Sequence, residues 1–136
     1  MGKADKTPRP NRKRKEMMSL HATHRDAGQV TVVDLSGRIT LGDGSALLRK
    51  TIRGLLEDQR KMILLNLADV AYIDSSGIGE LVSGYTAVKN QSGDLKLLHL
   101  TKKVRDLLQI TKLFTVFDVF TDESTAVRSF TQSSTA

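Results

Sequence analysis

The chain has 136 residues and a formal net charge of +6, a length that suffices for one domain with a hydrophobic core and is too short for two ordinary ones. It holds no cysteine, which excludes disulfides, thiolate metal sites and a cysteine nucleophile. Because no apolar run reaches the roughly 18 residues that span a bilayer, and the N-terminal region lacks the apolar block of a secretory signal, we expect a cytoplasmic protein without a transmembrane segment.

The basic charge is concentrated at the N-terminal end. Residues 1–15 contain seven lysines and arginines against one aspartate, so the other 121 residues carry fourteen basic and fourteen acidic side chains and are neutral. Residues 1–17 also hold both prolines, and we expect them to form a disordered basic tail. The Arg-Lys-Arg-Lys run at 12–15 leaves weak binding to nucleic acid or anionic lipid open. A solvated tail is the simpler interpretation, and we expect no direct nucleic-acid binding by the neutral domain.

Residues 18–131 form the predicted domain, which opens with a hairpin. An edge strand over 19–25, a turn at 26–28 and a β-branched strand over 30–35 are indicated. Residues 36–38 interrupt the pattern, and 39–41 either extend the strand or form a short one. The Gly-Asp-Gly-Ser sequence at 42–45 is typical of a flexible loop with two helix-capping residues, and an amphipathic helix is predicted over 46–58.

Strands and helices alternate from residue 46 onward. Further strands are predicted over 61–67, 95–100 and 116–120, and further helices from residue 74 to about 90, over 101–109 and over 122–130; residues 132–136 are expected to be a frayed tail. This order predicts an α/β fold with a mixed, mostly parallel sheet, an N-terminal hairpin and about four helices. Partner or ligand surfaces of such folds lie beyond the carboxyl ends of the strands.

The break before the second helix, residues 74–79, is the strongest candidate for a functional site. Its first three residues are all N-cap types, and the free N–H groups and dipole of a helix start favour an anion. Its two glycines leave the backbone open to close approach. A purely structural helix cap is the alternative. The six residues are Asp74, Ser75, Ser76, Gly77, Ile78 and Gly79.

Sequence motifs for catalysis are missing. There is no Gly-x-Ser-x-Gly elbow, no dinucleotide fingerprint and no P-loop. No local motif places His21, His24 or His99 as a base or as metal ligands. We therefore predict no catalytic residue, no metal and no cofactor, and a hydrolase that uses Ser75 is the least favoured reading.

The order of elements and several segments resemble the STAS domain of bacterial anti-sigma factor antagonists over about residues 18–130. The most specific segments are 35–39 before the first helix, 69–79 around the break, and 93–98 followed by 104–113. The chain departs from the usual pattern in its basic tail and in the glycine-rich stretch 42–45.

This resemblance implies a non-enzymatic phosphoprotein that regulates transcription by partner switching in bacterial signalling. In the family, the unphosphorylated antagonist binds an anti-sigma factor that is also a serine kinase of the histidine-kinase-like ATPase type, which frees the sigma factor. The kinase phosphorylates the serine after the motif's aspartate, and a PP2C-type phosphatase reverses this.

Carried over to this chain, the resemblance implies that Ser75 is the phosphate acceptor, with Ser76 as fallback. Residues 74–79 then form the partner-binding surface, on a monomer or weak dimer. The alternative on the same fold is a scaffold or accessory subunit of a lipid or anion transport system without a phospho-switch.

Overall fold

The computed structural model describes residues 19–132. The predicted basic tail, residues 1–17, and positions 133–136 of the predicted C-terminal tail lie outside the described residues. The elements in chain order are β1 (Leu20–Ala27), β2 (Val30–Ile39), α1 (Asp43–Glu57), β3 (Met62–Ile73), α2 (Ser75–Asn90), β4 (Asp94–Leu98), α3 (Lys102–Ile110), β5 (Val119–Phe120) and α4 (Glu123–Gln132).

The five strands form one sheet in the order β1-β2-β3-β4-β5. The first two strands pair antiparallel as a hairpin, and every later neighbour pairs parallel. Parallel neighbours need a crossover between them, which the helices provide. The predicted α/β fold, with a mostly parallel sheet opened by a hairpin, is confirmed.

Helices cover both faces of the sheet. Apolar side chains of α1, α2 and α3 form one core cluster against it, and α4 forms a second cluster on the opposite face. In β3, Ile63 and Leu65 contact the first cluster, whereas Leu64 contacts the second. A strand that is covered on both sides needs apolar residues at successive positions, which explains the continuous apolar run in this part of the sequence.

The connection from β2 to α1 differs from its prediction. β2 continues to Ile39 through two register shifts against β3, so residues 36–38 are irregular but still belong to the strand. Helix α1 begins at Asp43, with Gly42 in the N-cap position and no side-chain cap hydrogen bond. A Cβ on Gly44 would lie 2.7 Å from the carbonyl oxygen of Arg38, so the first turn of the helix packs directly on the strand. The predictions of a flexible loop at 42–45 and of a side-chain cap there are wrong.

Two shorter segments also differ from expectation. The strand predicted over 116–120 is confined to Val119–Phe120, which pair with the last two residues of β4. After α2, the residue with positive φ is Ser92, at 64°, and not the glycine that follows it. Gly93 is required for another reason, because a Cβ there would lie 2.3 Å from the carbonyl oxygen of Lys61.

Candidate functional site

Strand β3 carries the candidate site beyond the end of β4. The strand was expected to end at residue 67 but continues to Ile73. Its last pair with β4 is Asn66 with Leu98, and the following segment pairs only with β2, as far as the pair Ile39 and Ile73. The segment that starts at Asp74 therefore lies at the carboxyl edge of the sheet, as predicted, and past the point where the neighbouring strand has stopped.

Asp74 is the N-cap of α2 and holds three segments of the chain together. Its Oδ1 accepts hydrogen bonds from the Gly77 N–H at 3.0 Å and from the Ser76 hydroxyl at 2.6 Å. Its Oδ2 accepts a hydrogen bond from the backbone N–H of Leu41 at 3.0 Å. Its own N–H donates to the carbonyl oxygen of Ile39 at 3.2 Å. The end of β2, the end of β3 and the start of α2 thus meet at one carboxylate.

These donors determine the charge of the site. The Ser76 hydroxyl, followed by the backbone N–H groups of Gly77 and Leu41, lowers the pKa of Asp74 to about 2, because each hydrogen bond favours the ionised carboxylate. Asp74 therefore carries a full negative charge at neutral pH. A carboxylate with so low a pKa is also a weak base.

The two adjacent serines lie in different environments. Ser75 is exposed, and within residues 19–132 its hydroxyl makes no side-chain hydrogen bond. Ser76 is half-buried and donates its hydroxyl to Asp74. Ser75, the acceptor that the family resemblance implies, is therefore the more accessible of the two hydroxyls, and Ser76, the fallback, is the less accessible.

The remaining three residues of the motif do not share one role. Gly77 is buried, and a Cβ on it would lie 2.3 Å from the carbonyl oxygen of Ile39. Ile78 is 7% exposed and belongs to the core. Gly79 is exposed and has nothing within 4 Å of its Cβ position. The predicted reason for the glycines, an open backbone, therefore applies to Gly79 and not to Gly77, which permits close packing between α2 and β2.

Leu41 is a member of the site that the sequence analysis did not identify. Its side chain is 80% exposed, and its N–H is bonded to the Asp74 carboxylate. The sequence left residues 39–41 as an uncertain strand, with nothing to connect them to the motif. The available signal was indirect: if β2 and β3 are parallel neighbours, the residues that follow both strands lie side by side.

The described residues hold no arrangement typical of a catalytic or metal centre. Among residues 19–132, no hydrogen bond joins Ser75 to a histidine, and no three His, Asp or Glu side chains are grouped as metal ligands. None of the helices in this range has the length and apolar character needed to cross a membrane. The site is a surface with one exposed hydroxyl beside one ionised carboxylate.

Comparison with known proteins assigns this architecture to a family. Residues 21–126 match the family model of the STAS domain. The chain belongs to the STAS domain family. The anti-sigma-B factor antagonist of Bacillus subtilis strain 168 is 33% identical over 87 residues, which are 64% of this chain and 78% of that protein. The predicted kinship with bacterial anti-sigma factor antagonists is confirmed, and with it the prediction of a protein that is not an enzyme.

Solved structures show the same fold. A crystal structure described as an anti-sigma factor antagonist of Thermotoga maritima has a TM-score of 0.74 at 21% identity, covering 80% of this chain and 93% of that one. SpoIIAA, named as an anti-sigma factor antagonist, matches in its unphosphorylated form with a TM-score of 0.67 at 20% identity, covering 80% of this chain and 96% of that one. Its phosphorylated form, from Bacillus, has a TM-score of 0.63 at 19% identity, covering 80% and 99%.

Proposed function

We propose that this STAS domain binds an anti-sigma factor that is also a serine kinase of the histidine-kinase-like ATPase type, and that phosphorylation of Ser75 switches this binding off. Binding of the unmodified chain frees the sigma factor for transcription. A phosphatase of the PP2C type removes the phosphate and restores binding. This cycle belongs to the cytoplasm, where sigma factors act.

The observation that carries the proposal is the accessibility of Ser75. Its hydroxyl lies at the first position of α2, exposed to solvent and beyond the end of β4. A kinase must bring the γ-phosphorus of ATP up to this oxygen, which a buried or hydrogen-bonded hydroxyl would hinder. Ser76 is a poorer acceptor than Ser75 on both counts, because it is half-buried and its hydroxyl is hydrogen-bonded to Asp74. The similarity to SpoIIAA, which has been solved in a phosphorylated form, supports a phosphorylated state on this fold.

Electrostatics explain the direction of the switch. A phosphoserine carries a charge of about −1.5 to −2 at neutral pH, and here it adds to the ionised Asp74 beside it. The partial positive charge of the α2 N-terminus offsets part of this charge within the domain. A partner seated on Ser75 has no such compensation and must accommodate both the bulk and the charge of the phosphate. The fold therefore tolerates the modification, whereas the complex does not.

The proposal assigns the general base to the kinase, because Asp74 is a weak base. Its carboxylate accepts three hydrogen bonds and has a pKa of about 2, so it is poorly suited to take the proton from the Ser75 hydroxyl. Within residues 19–132 no side chain is hydrogen-bonded to the Ser75 hydroxyl, and on this proposal the chain is a phosphate acceptor and not a catalyst of its own modification.

Affinity purification from the source cell tests the proposal. The wild type and Ser75→Ala are expected to retain an anti-sigma factor, and Ser75→Asp is expected to lose it. With the retained protein and ATP, peptide mass spectrometry is expected to locate phosphate on Ser75 in the wild type and none on the Ser75→Ala chain. Ser83→Ala, an exposed serine farther along α2, is the matched control and should behave as the wild type.

Three results would contradict the proposal. Phosphate found only outside residues 72–78 would end the site assignment. Equal retention of the anti-sigma factor by Ser75→Asp and the wild type would show that negative charge at Ser75 does not switch binding off. Recovery of membrane transport ATPase subunits, unaffected by either Ser75 variant, would favour the scaffold or transport-accessory role.

A further inference from the structure

Leu41 is the most exposed large apolar side chain among residues 19–132, at 80%, followed by Ile110 at 76%. A single exposed leucine is ordinary on a protein surface and needs no explanation by itself. What distinguishes Leu41 is the hydrogen bond that its backbone makes. Its N–H is bonded to the same Asp74 carboxylate that caps the helix carrying Ser75, so one side chain joins the backbone of Leu41 to the start of the helix with the proposed phosphate acceptor.

The backbone on both sides of Leu41 is also held in place. The Ser45 N–H donates to the carbonyl oxygen of Thr40 at 2.9 Å, and the Ala46 N–H donates to that of Gly42 at 3.0 Å. Gly42 has a φ of 99°, a conformation that favours glycine and that turns the chain into α1. A residue whose backbone is already ordered loses little conformational entropy when a partner covers its side chain.

Two of the carboxylates near this surface are bonded within the domain, whereas Asp43, two residues after Leu41, is exposed and makes no ion pair among residues 19–132. Asp74 accepts three hydrogen bonds, and Glu80 on α2 pairs with Arg49 on α1 at 3.3 Å. Leu41, Ser75 and Gly79 therefore present an apolar group, a neutral hydroxyl and open backbone. Such a surface combines an exposed apolar side chain, which a partner with an apolar pocket can receive, with acidic groups to which a phosphate on Ser75 would add further negative charge.

We propose that Leu41 is the apolar anchor of the surface that receives the anti-sigma factor, and that it inserts into an apolar pocket of this partner next to the contact over Ser75. The inference rests on the proposed function and adds to it a residue outside the Asp-Ser-Ser-Gly motif. On this proposal Asp74 has two roles, because its carboxylate holds the backbone of Leu41 and caps α2, the helix that begins with Ser75. One occupant, the anti-sigma factor, covers both features.

Ile110 provides a matched control. It is almost as exposed as Leu41 but is the last residue of α3. The N-cap of this helix, Thr101, is bonded to the carbonyl oxygen of Val70 near the end of β3, and nine helical residues at 1.5 Å each carry Ile110 roughly 13 Å along the axis from there. A general effect of removing exposed apolar area would appear in both variants, whereas a specific anchor affects only one.

The test is the dissociation constant of the full chain for the recombinant anti-sigma factor that the wild type retains from its source-cell extract, measured by isothermal titration calorimetry. Leu41→Ser is expected to raise Kd by roughly ten- to a hundredfold, the range expected when a leucine side chain can no longer be buried. Leu41→Met should bind as the wild type, because it restores the apolar volume. Ile110→Ser should stay within about twofold, and all melting temperatures should remain close to that of the wild type.

The outcomes separate this inference from the proposed function. If Ser75→Asp loses binding but Leu41→Ser binds as the wild type, the anchor is wrong and the switch stands. An equal loss of affinity in Leu41→Ser and Ile110→Ser would also overturn the anchor. So would a Leu41→Ser chain whose Kd for the anti-sigma factor is unchanged but which shifts from dimer to monomer in light scattering, because Leu41 would then contact a second copy of the chain. If the wild type retains no anti-sigma factor, both proposals fail.

Discussion

The Ser76 hydroxyl lies 2.6 Å from Oδ1 of Asp74, and this hydrogen bond distinguishes two neighbouring serines that share the same side-chain chemistry. Ser76 supports the N-cap, while Ser75, one residue before it, is left exposed. The support is electrostatic as well as geometric, because the Ser76 hydroxyl is the largest cause of the low pKa of Asp74. The position of the proposed switch therefore depends on which of the two hydroxyls the cap uses.

Ser76→Ala is expected to raise the pKa of Asp74 from about 2 toward its ordinary value of 3.8 and to lower the free energy of unfolding by about 1 kcal/mol, since one hydrogen bond is lost at a half-buried helix cap. The pKa can be followed by ¹³C NMR of the Asp74 carboxyl carbon. Phosphorylation of Ser75 should persist. Ser83→Ala is the control, and an unchanged Asp74 pKa in Ser76→Ala would contradict the assigned hydrogen bond.

Asp74→Ala is expected to cost about 1–2 kcal/mol of stability at pH 7, because the helix loses its N-cap. The pKa of Asp74 is lower in the folded chain, about 2, than its ordinary value of 3.8. The stabilisation is thus complete above the ordinary pKa and is lost as the pH falls through about 2. Urea denaturation at pH 7, 5, 3 and 2 should show the gap between wild type and variant narrowing only at the acid end.

Asp43→Ala is the matched control for this comparison. Asp43 is in the first turn of α1, where no side-chain cap hydrogen bond is made, so its replacement should change stability by no more than a few tenths of a kcal/mol through the helix dipole. A loss as large as that of Asp74→Ala, or a gap for Asp74→Ala that stays constant down to pH 2, would show that the N-cap account is wrong.

Gly77→Ala and Gly79→Ala are expected to have opposite effects. The added Cβ at Gly77 would lie 2.3 Å from the Ile39 carbonyl oxygen and 2.6 Å from Cγ1 of Ile73, so the backbone must shift, and we expect a loss of about 2–3 kcal/mol or more. At Gly79 the same methyl meets open space, and the higher helix propensity of alanine should add up to about 1 kcal/mol. Thermal and urea unfolding measure the stability of both variants. Equal changes in the free energy of unfolding would contradict the close approach at Gly77.

Lys96→Ala is expected to destabilise the fold by about 2–4 kcal/mol. The Lys96 side chain is only 8% exposed, and its Nζ donates to Oγ of Ser129 at 3.0 Å and lies 4.8 Å from the ring centroid of Phe130. Its removal empties space between β4 and α4 and removes the hydrogen bonds to the half-buried Ser129, whose hydroxyl still donates to the carbonyl oxygen of Ala126. Denaturant unfolding gives the free energy change.

Lys89→Ala is the control for the loss of stability expected in Lys96→Ala. The Lys89 side chain is 47% exposed and pairs with Asp94, and an exposed ion pair contributes about 0–1 kcal/mol. Lys96→Met should recover part of the stability lost in Lys96→Ala, because it refills the apolar volume. Equal effects of the two alanine substitutions would show that Lys96 does not hold α4 to the sheet.

The sequence by itself determined what depends on neighbours along the chain. The apolar run in β3 and the amphipathic faces of α1 and α3 were predicted correctly, and the N-cap of α2 was limited to three residues, because side-chain period and capping act over a few residues. The order of these elements was also enough to predict the α/β fold, since alternating strands and helices have few ways to pair.

Only the tertiary structure decided what depends on residues far apart in the chain. The pairing of Ile39 with Ile73 brings the β2–α1 connection against the start of α2, and from this follow the packing role of Gly77 and the bond between Leu41 and Asp74. Local pattern cannot reveal such contacts, since the partners are some thirty residues away and meet only when the sheet has formed.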